Sequence, residues 1–202
     1  MELTRASGAN AFMTTEGDEV LSPFARNYLA GLLVHARASA VFTTPTINGY
    51  KRYRPYSLAP DRVIWGKENR GALLRVVGGP RDPDTRIENR IGEPAANPYL
   101  YFASQVYSGL DGIERRMPMT RSADTPYEAK ADFLPRTLDE ALQHLKVNKA
   151  LRDGFGNRKP ELGRGRANDL HDLCDHLRSG QPGGLHQHLL GDLAQAAVAP
   201  VH

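Results

Sequence analysis

Cysteine is nearly missing from this chain: Cys174 is the only one in 202 residues. An intramolecular disulfide is therefore impossible, and the count is consistent with a reducing cytoplasm. No apolar run approaches the ~18–20 residues of a membrane helix, so no membrane partner is expected. The first residues, MELTRASGANAF, have neither the basic start nor the apolar core of a signal peptide. Strong charge of one sign is also lacking. The formal net charge is +3, and Lys and Arg form no run interleaved with aromatics, so no nucleic-acid partner is expected. What is present, 40% hydrophobic and 24% charged residues, is the composition of a soluble globular domain, with room for a tail.

Periodicity and turn chemistry give the elements. Ser22-Pro23 supplies an N-cap and a first-position proline. Phe24, Tyr28, Leu29, Leu32, Leu33, Ala36 and Ala40 then recur at helical spacing, which predicts an amphipathic helix over 22–40. TTPTINGYKRYRPYSLAP (43–60) reads as a long loop, a class that often carries function in compact domains. Strand-like pieces follow at 62–66, 72–77 and 85–91. The last two are joined by the turn signal GGPRDPD and are expected to pair as an antiparallel hairpin. Asn97-Pro98 opens a second helix, over 98–111, with Tyr99, Leu100, Ala103, Val106, Tyr107 and Leu110 as its apolar face and an end near Gly109 or Gly112. Thr137 and Glu140 form a capping box for a third, over 137–147, with Leu138, Ala141, Leu142 and Leu145 facing inward. Beyond Phe155 the pattern fades, and a poorly ordered tail is expected over 156–202. Its HDLCDH and HQH clusters fit no standard zinc spacing. His35, alone on a helix, reads as structural.

The chemistry concentrates in arginine. TRIENRI, read as a strand, puts Arg86, Glu88 and Arg90 on one face. The hairpin brings Arg75 beside them, Arg70 stands just before its strand, and Arg52 lies in the long loop. One reading is a solvated ion-pair ladder of little energetic value. The other is a floor for phosphate, carboxylate and metal. A guanidinium fork donates two parallel hydrogen bonds to either anion. A carboxylate among phosphate-binding arginines suits Mg²⁺, which is usually shared with substrate phosphates.

Four stretches in order, TTPTINGYKRYRPYSLAP, WGKENRGALLRV, RIENR and PAANPYLYFASQVYSGLDGI, resemble the C-terminal half of the glutamine synthetase catalytic domain. The similarity runs over roughly residues 6 to 155. It implies a partial α+β catalytic domain over 1–155, with an antiparallel curved sheet packed by helices. It implies an ATP-dependent ligase that phosphorylates the γ-carboxylate of glutamate and lets an amine displace the phosphate. The cofactors implied are ATP and Mg²⁺ or Mn²⁺, and the full-length assembly implied is a homo-oligomer. By position, Arg52 resembles a catalytic loop arginine that contacts the substrate glutamate, and Arg70 the arginine near the transferring phosphoryl group. Arg75 and Arg86 resemble nucleotide-phosphate contacts. Glu88 resembles a metal ligand and Arg90 a second glutamate contact.

Three departures shape the expectation. Leu58 stands before Ala59-Pro60, where the family carries a glutamate that helps deprotonate ammonium. Leucine has no basic group, so the expected acceptor is ammonia or, favoured by Leu58, a larger amine: a polyamine, an alkylamine or an aromatic amine. The chain also lacks the family's upstream β-grasp domain, H-x-H motif and further metal-binding glutamates. His35 and His144 have no context that would make them substitutes. Past Phe155 the family's aromatic-rich last helix is replaced by NRKPELGRGRANDLHDLCDHLRSG. The alternative expectation is therefore a catalytically inactive remnant, or a binding fragment that joins a larger assembly.

Overall fold

A computed structural model describes residues 8–57 and 59–155. They fall in the compact unit Met1–Gly154, with Phe155 opening a second unit. The tail expected over 156–202, with its His and Cys clusters, lies outside the described residues, as does Leu58.

The central element is helix α1, Pro23–Thr43. Ser22 caps it as the sequence predicts: its hydroxyl accepts from the Ala25 amide (3.2 Å) and donates to the Ala11 carbonyl (2.6 Å). The helix runs one turn further than expected. It is buried on most of its circumference, because Gly31, Ala38, Val41 and Phe42 are covered along with the predicted Tyr28, Leu29, Leu32 and Leu33. A single turn, α2 (Ile47–Tyr50), interrupts the predicted long loop and is capped by Thr46.

Strands β1 (Trp65–Lys67), β2 (Leu74–Val77) and β3 (Arg86–Asn89) form a sheet in that order. The hairpin is antiparallel, with Arg75 opposite Glu88 and Val76 opposite Ile87. The antiparallel expectation fails for β1 and β2, which pair in parallel, Trp65 opposite Leu74 and Lys67 opposite Val76. The connection decides this. Glu68 takes a left-handed backbone (φ 50°), and the Asn69 side chain accepts from the Gly71 amide (3.0 Å). The chain loops back over residues 68–73 and restarts β2 beside the beginning of β1, so the Leu74 amide donates to the Ile64 carbonyl (3.1 Å).

Helix α3, Pro98–Glu114, starts on the expected Asn97 cap but runs through Gly109 and Gly112. Its predicted apolar face is only partly covered: Leu100, Ala103 and Tyr107 are half-buried. Ser104, Gln105, Ser108, Gly109 and Gly112 are buried, while Tyr99, Val106 and Leu110 are 58%, 39% and 51% exposed. The reason is the close crossing with α1. A β-carbon on Gly31 would sit 2.1 Å from the Ser108 carbonyl, and one on Gly112 2.3 Å from the Asn27 carbonyl. Backbones this close admit only small residues between them. Helix α4 (Leu138–Val147) buries Leu138, Ala141, Leu142 and Leu145 as predicted. Thr137 caps the Glu140 amide (3.1 Å), while the Glu140 carboxylate reaches the Arg136 amide (3.0 Å), one residue outside the usual reciprocal bond. Helix α5 (Lys149–Gly154) closes against α1 and α3.

Candidate phosphate and carboxylate site

Alternation along β3 buries Ile87 and leaves Arg86 and Glu88 half-exposed on the opposite face. The hairpin register then sets Arg75 directly across from Glu88. Arg75 Nη1 donates to Glu88 Oε2 at 3.1 Å, and Arg86 Nη2 lies 3.4 Å from Glu88 Oε1. Each Glu88 oxygen thus accepts one guanidinium bond and keeps lone-pair capacity for another partner.

A second carboxylate completes the cluster. Glu68 Oε2 accepts from Arg75 Nη2 at 2.5 Å, and its Oε1 accepts from the Gly78 amide at 3.2 Å. The Arg75 hydrogen bond, helped by that amide, holds the Glu68 carboxyl below its ordinary range. Sequence reasoning did not single out Glu68, although it stands inside WGKENRGALLRV. The signal was its place directly after the strand that pairs with β2, visible only once β1 and β2 are known to run in parallel. Arg75 is therefore gripped by two carboxylates, and its Nε is buried with no hydrogen-bond partner.

Arg90 lies one residue past β3. Its amide donates to the Leu73 carbonyl (2.9 Å), and its Nε donates to the Arg70 carbonyl (2.8 Å). The latter bond fixes the turn carrying Arg70, whose own side chain is exposed. Arg86 and Glu88 sit with Arg75 on the hairpin, while Arg90 braces the Arg70 turn.

Arg52 ties its loop to the end of the sheet. Its Nη2 donates to the carbonyls of Ile91 (2.8 Å) and Gly92 (3.1 Å), and its Nε donates to Gly49 (3.3 Å). The Ile91 carbonyl also receives the hydroxyls of Tyr53 and Thr44, both at 3.2 Å, and those two hydroxyls are themselves in very short contact. Burial pushes the Tyr53 phenol up to about 12, so it remains a donor at neutral pH. Much of the Arg52 guanidinium is thereby committed to holding the loop at Ile91, one residue beyond Arg90.

Among the described residues no group of three His, Cys, Asp or Glu side chains converges to hold a metal. A closed protein cage is not what these residues make. One carboxylate with spare lone pairs, beside arginines suited to phosphate, fits a Mg²⁺ or Mn²⁺ that takes its other ligands from phosphate and water.

Residues 1–161 match the family described as glutamine synthetase, catalytic domain. The chain is 52% identical over 149 residues to a γ-glutamylanilide synthase of an Acinetobacter species, covering 73% of this chain and 30% of that one. It is 39% identical over 158 residues to the glutamine synthetase of Thermococcus kodakarensis, covering 74% and 35%. Among solved structures it is similar to a ligand-free GmaS, with a TM-score of 0.72 at 27% identity over 93% of this chain and 42% of that one. A GmaS–ADP complex is similar at a TM-score of 0.70 and 26% identity, over 93% and 44%. The chain spans about a third of the length of these curated relatives. Four ordered motifs, a hairpin that sets Arg75 and Arg86 on Glu88, and these matches lead to one assignment: the chain belongs to the glutamine synthetase catalytic-domain family.

Proposed function

We propose that this chain supplies the phosphate- and glutamate-binding wall of an ATP-dependent γ-glutamyl–amine ligase whose acceptor is an aromatic amine. The observation that carries the reading is the Arg75–Glu88–Arg86 cluster on the β2–β3 hairpin, in a chain 52% identical to a γ-glutamylanilide synthase. The ligase class also fits the similarity to an ADP complex.

In this reading Arg75 and Arg86 neutralise nucleotide phosphates. Arg70, exposed on its turn, meets the transferring phosphoryl group. Arg52 and Arg90 orient the glutamate, and Glu88 offers one oxygen to Mg²⁺ or Mn²⁺. Bound metal would supply further charge neutralisation. Phosphoryl transfer needs positioning and charge more than covalent help from the protein, and guanidinium groups provide both. The γ-carboxylate oxygen takes the terminal phosphoryl group and ADP leaves. The amine nitrogen then attacks the acyl carbon, the carbon–oxygen bond to phosphate breaks, and the nitrogen gives up a proton.

The second step favours an aromatic acceptor. Ammonia and alkylamines are protonated at neutral pH and need a base. Leu58 provides none. An aromatic amine is neutral and presents its lone pair directly.

The test is phosphate release by the 202-residue chain with glutamate, ATP and Mg²⁺, across aniline, ethylamine, spermidine and ammonium. Aniline should support the highest rate. Absence of amine-dependent release with every acceptor, at any metal concentration, would overturn the ligase reading. A rate highest with ammonium would overturn the aromatic acceptor alone.

A further inference from the structure

The loop that carries Arg52 is fastened at two places. Upstream, Arg52 grips the Ile91 and Gly92 carbonyls. Downstream, the Tyr127 hydroxyl donates to the Ala59 carbonyl at 3.2 Å. Tyr127 belongs to the short 3-10 turn Pro126–Glu128, far along the chain. Its ring lies 5.0 Å, centroid to centroid, from the ring of Tyr56, tilted by 47°. The same Tyr127 ring packs on Gly71, where an added β-carbon would meet Cε2 at 3.1 Å. Gly71 directly follows Arg70. One tyrosine therefore touches both the loop and the turn of the arginine assigned to the phosphoryl group.

Tyr56 itself is held in an unusual state. Its backbone is left-handed, φ 59°, where glycine is the inexpensive choice, and its side chain is 75% exposed. A large ring is thus kept at a strained position with one edge on Tyr127 and much of its surface open. From Thr44 to Pro60 the chain itself has Lys51, Arg52 and Arg54 and no Asp or Glu, and the Glu93 carboxylate fastens the start of this loop through the Thr46 amide (2.8 Å) and hydroxyl (2.9 Å). A neutral aromatic amine can stack on an exposed tyrosine ring.

We propose that Tyr56 and Tyr127 form the aromatic wall of the acceptor-amine subsite and determine its preference for planar aromatic amines. The proposal rests on the ligase reading above and extends it to two residues. Tyr127 also acts as a positioning residue, since it joins the loop to the Arg70 turn.

The experiment titrates the 202-residue chain, with its tyrosine rings ¹³C-labelled, with aniline and separately with ethylamine. Aniline should shift the Tyr56 and Tyr127 ring signals, and ethylamine should not. Tyr56→Ala alters an exposed side chain and should weaken aniline binding by roughly threefold to tenfold, the range of one aromatic stacking contact. The proposal is overturned if aniline leaves both rings unmoved, if ethylamine moves them as much, or if Tyr56→Ala binds aniline as tightly. The two readings separate cleanly. Aniline binding that needs Tyr56, without phosphate release by any amine, upholds the wall and removes the ligase. Aniline-dependent phosphate release with an aniline-to-ethylamine ratio unchanged in Tyr56→Ala upholds the ligase and removes the wall.

Discussion

Glu68 shows how one side chain changes the meaning of its neighbours. Arg75, seen in sequence as a phosphate contact, is held between Glu68 and Glu88. A phosphate bound there, as proposed, would have to compete with two carboxylates for that guanidinium. The Glu68 carboxyl is held low chiefly by Arg75. A depressed folded-state pKa means that the contact stabilises the fold above the ordinary carboxylate range and that this stabilisation fades as pH falls through the depressed value. In Arg75→Ala the Glu68 midpoint should rise toward the usual ~4.3, as read by a ¹³C titration of its side chain. A midpoint unmoved by that substitution would show that Arg75 is not the cause. At Glu88 the expectation concerns metal. Glu88→Ala should sharply reduce Mg²⁺-dependent turnover in the aniline assay, and an unchanged metal titration would remove Glu88 as a ligand.

At the scale of elements, α1 and α3 meet through glycine and serine rather than through interlocking leucines. Of the apolar residues counted for the inner face of α3, Tyr99, Val106 and Leu110 look outward. Hydrophobic spacing alone could not reveal this, because a small-residue stripe and an apolar stripe share one helical period. The crossing gives a sharp test. Gly31→Ala would place a methyl group against the Ser108 carbonyl and the Gly112 backbone, neither of which has a flexible end to yield. Overpacking of this kind costs about 1–3 kcal/mol or more, which thermal unfolding should report as a clear drop in Tm. Val34→Ala, on the same helix but 59% exposed, should leave Tm nearly unchanged. Equal effects from the two would mean that the crossing is not a tight contact.

Across the whole described unit, one buried histidine joins three helices. His35 of α1 is 4% exposed, and its Nε2 lies 2.8 Å from Asp111 Oδ2 of α3. Its Nδ1 lies 2.7 Å from Asn148 Nδ2. Asn148 Oδ1 is already occupied, because it accepts from the Leu151 amide at 3.0 Å and so caps α5. The amide group must therefore point its NH₂ at the ring. Nδ1 is then the acceptor, and Nε2 carries the proton given to Asp111. Nitrogen chemical shifts of His35 should show an unprotonated Nδ1, and a protonated Nδ1 in the neutral ring would refute the arrangement. Asn148→Ala removes a cap and leaves a buried ring nitrogen unpaired. It should cost about 1–3 kcal/mol in chemical denaturation. A neutral result would mean that α5 docks without this clamp. His35 reads as structural from sequence, and its partners bear that out.

Local chemistry was enough to determine a good part of this protein. Ser22, Asn97 and Thr137 mark the helix starts because each cap bonds to amides two or three residues away. The GGPRDPD turn and the alternation of TRIENRI specify the hairpin, and with it the meeting of Arg75 and Glu88. The four motifs carry the family. Only the tertiary structure decided the rest, since the deciding contacts join residues far apart in sequence or depend on backbone approach. The parallel pairing of β1 with β2 depends on the left-handed turn at Glu68. The inner face of α3 depends on the Gly31–Gly112 crossing. Arg52 and Arg90 bond to backbone carbonyls at Ile91, Gly92 and Arg70. The pairing of Tyr56 with Tyr127 spans more than a third of the chain. No pattern of residue types encodes such a partner, because many geometries satisfy the same local preferences and packing selects one of them.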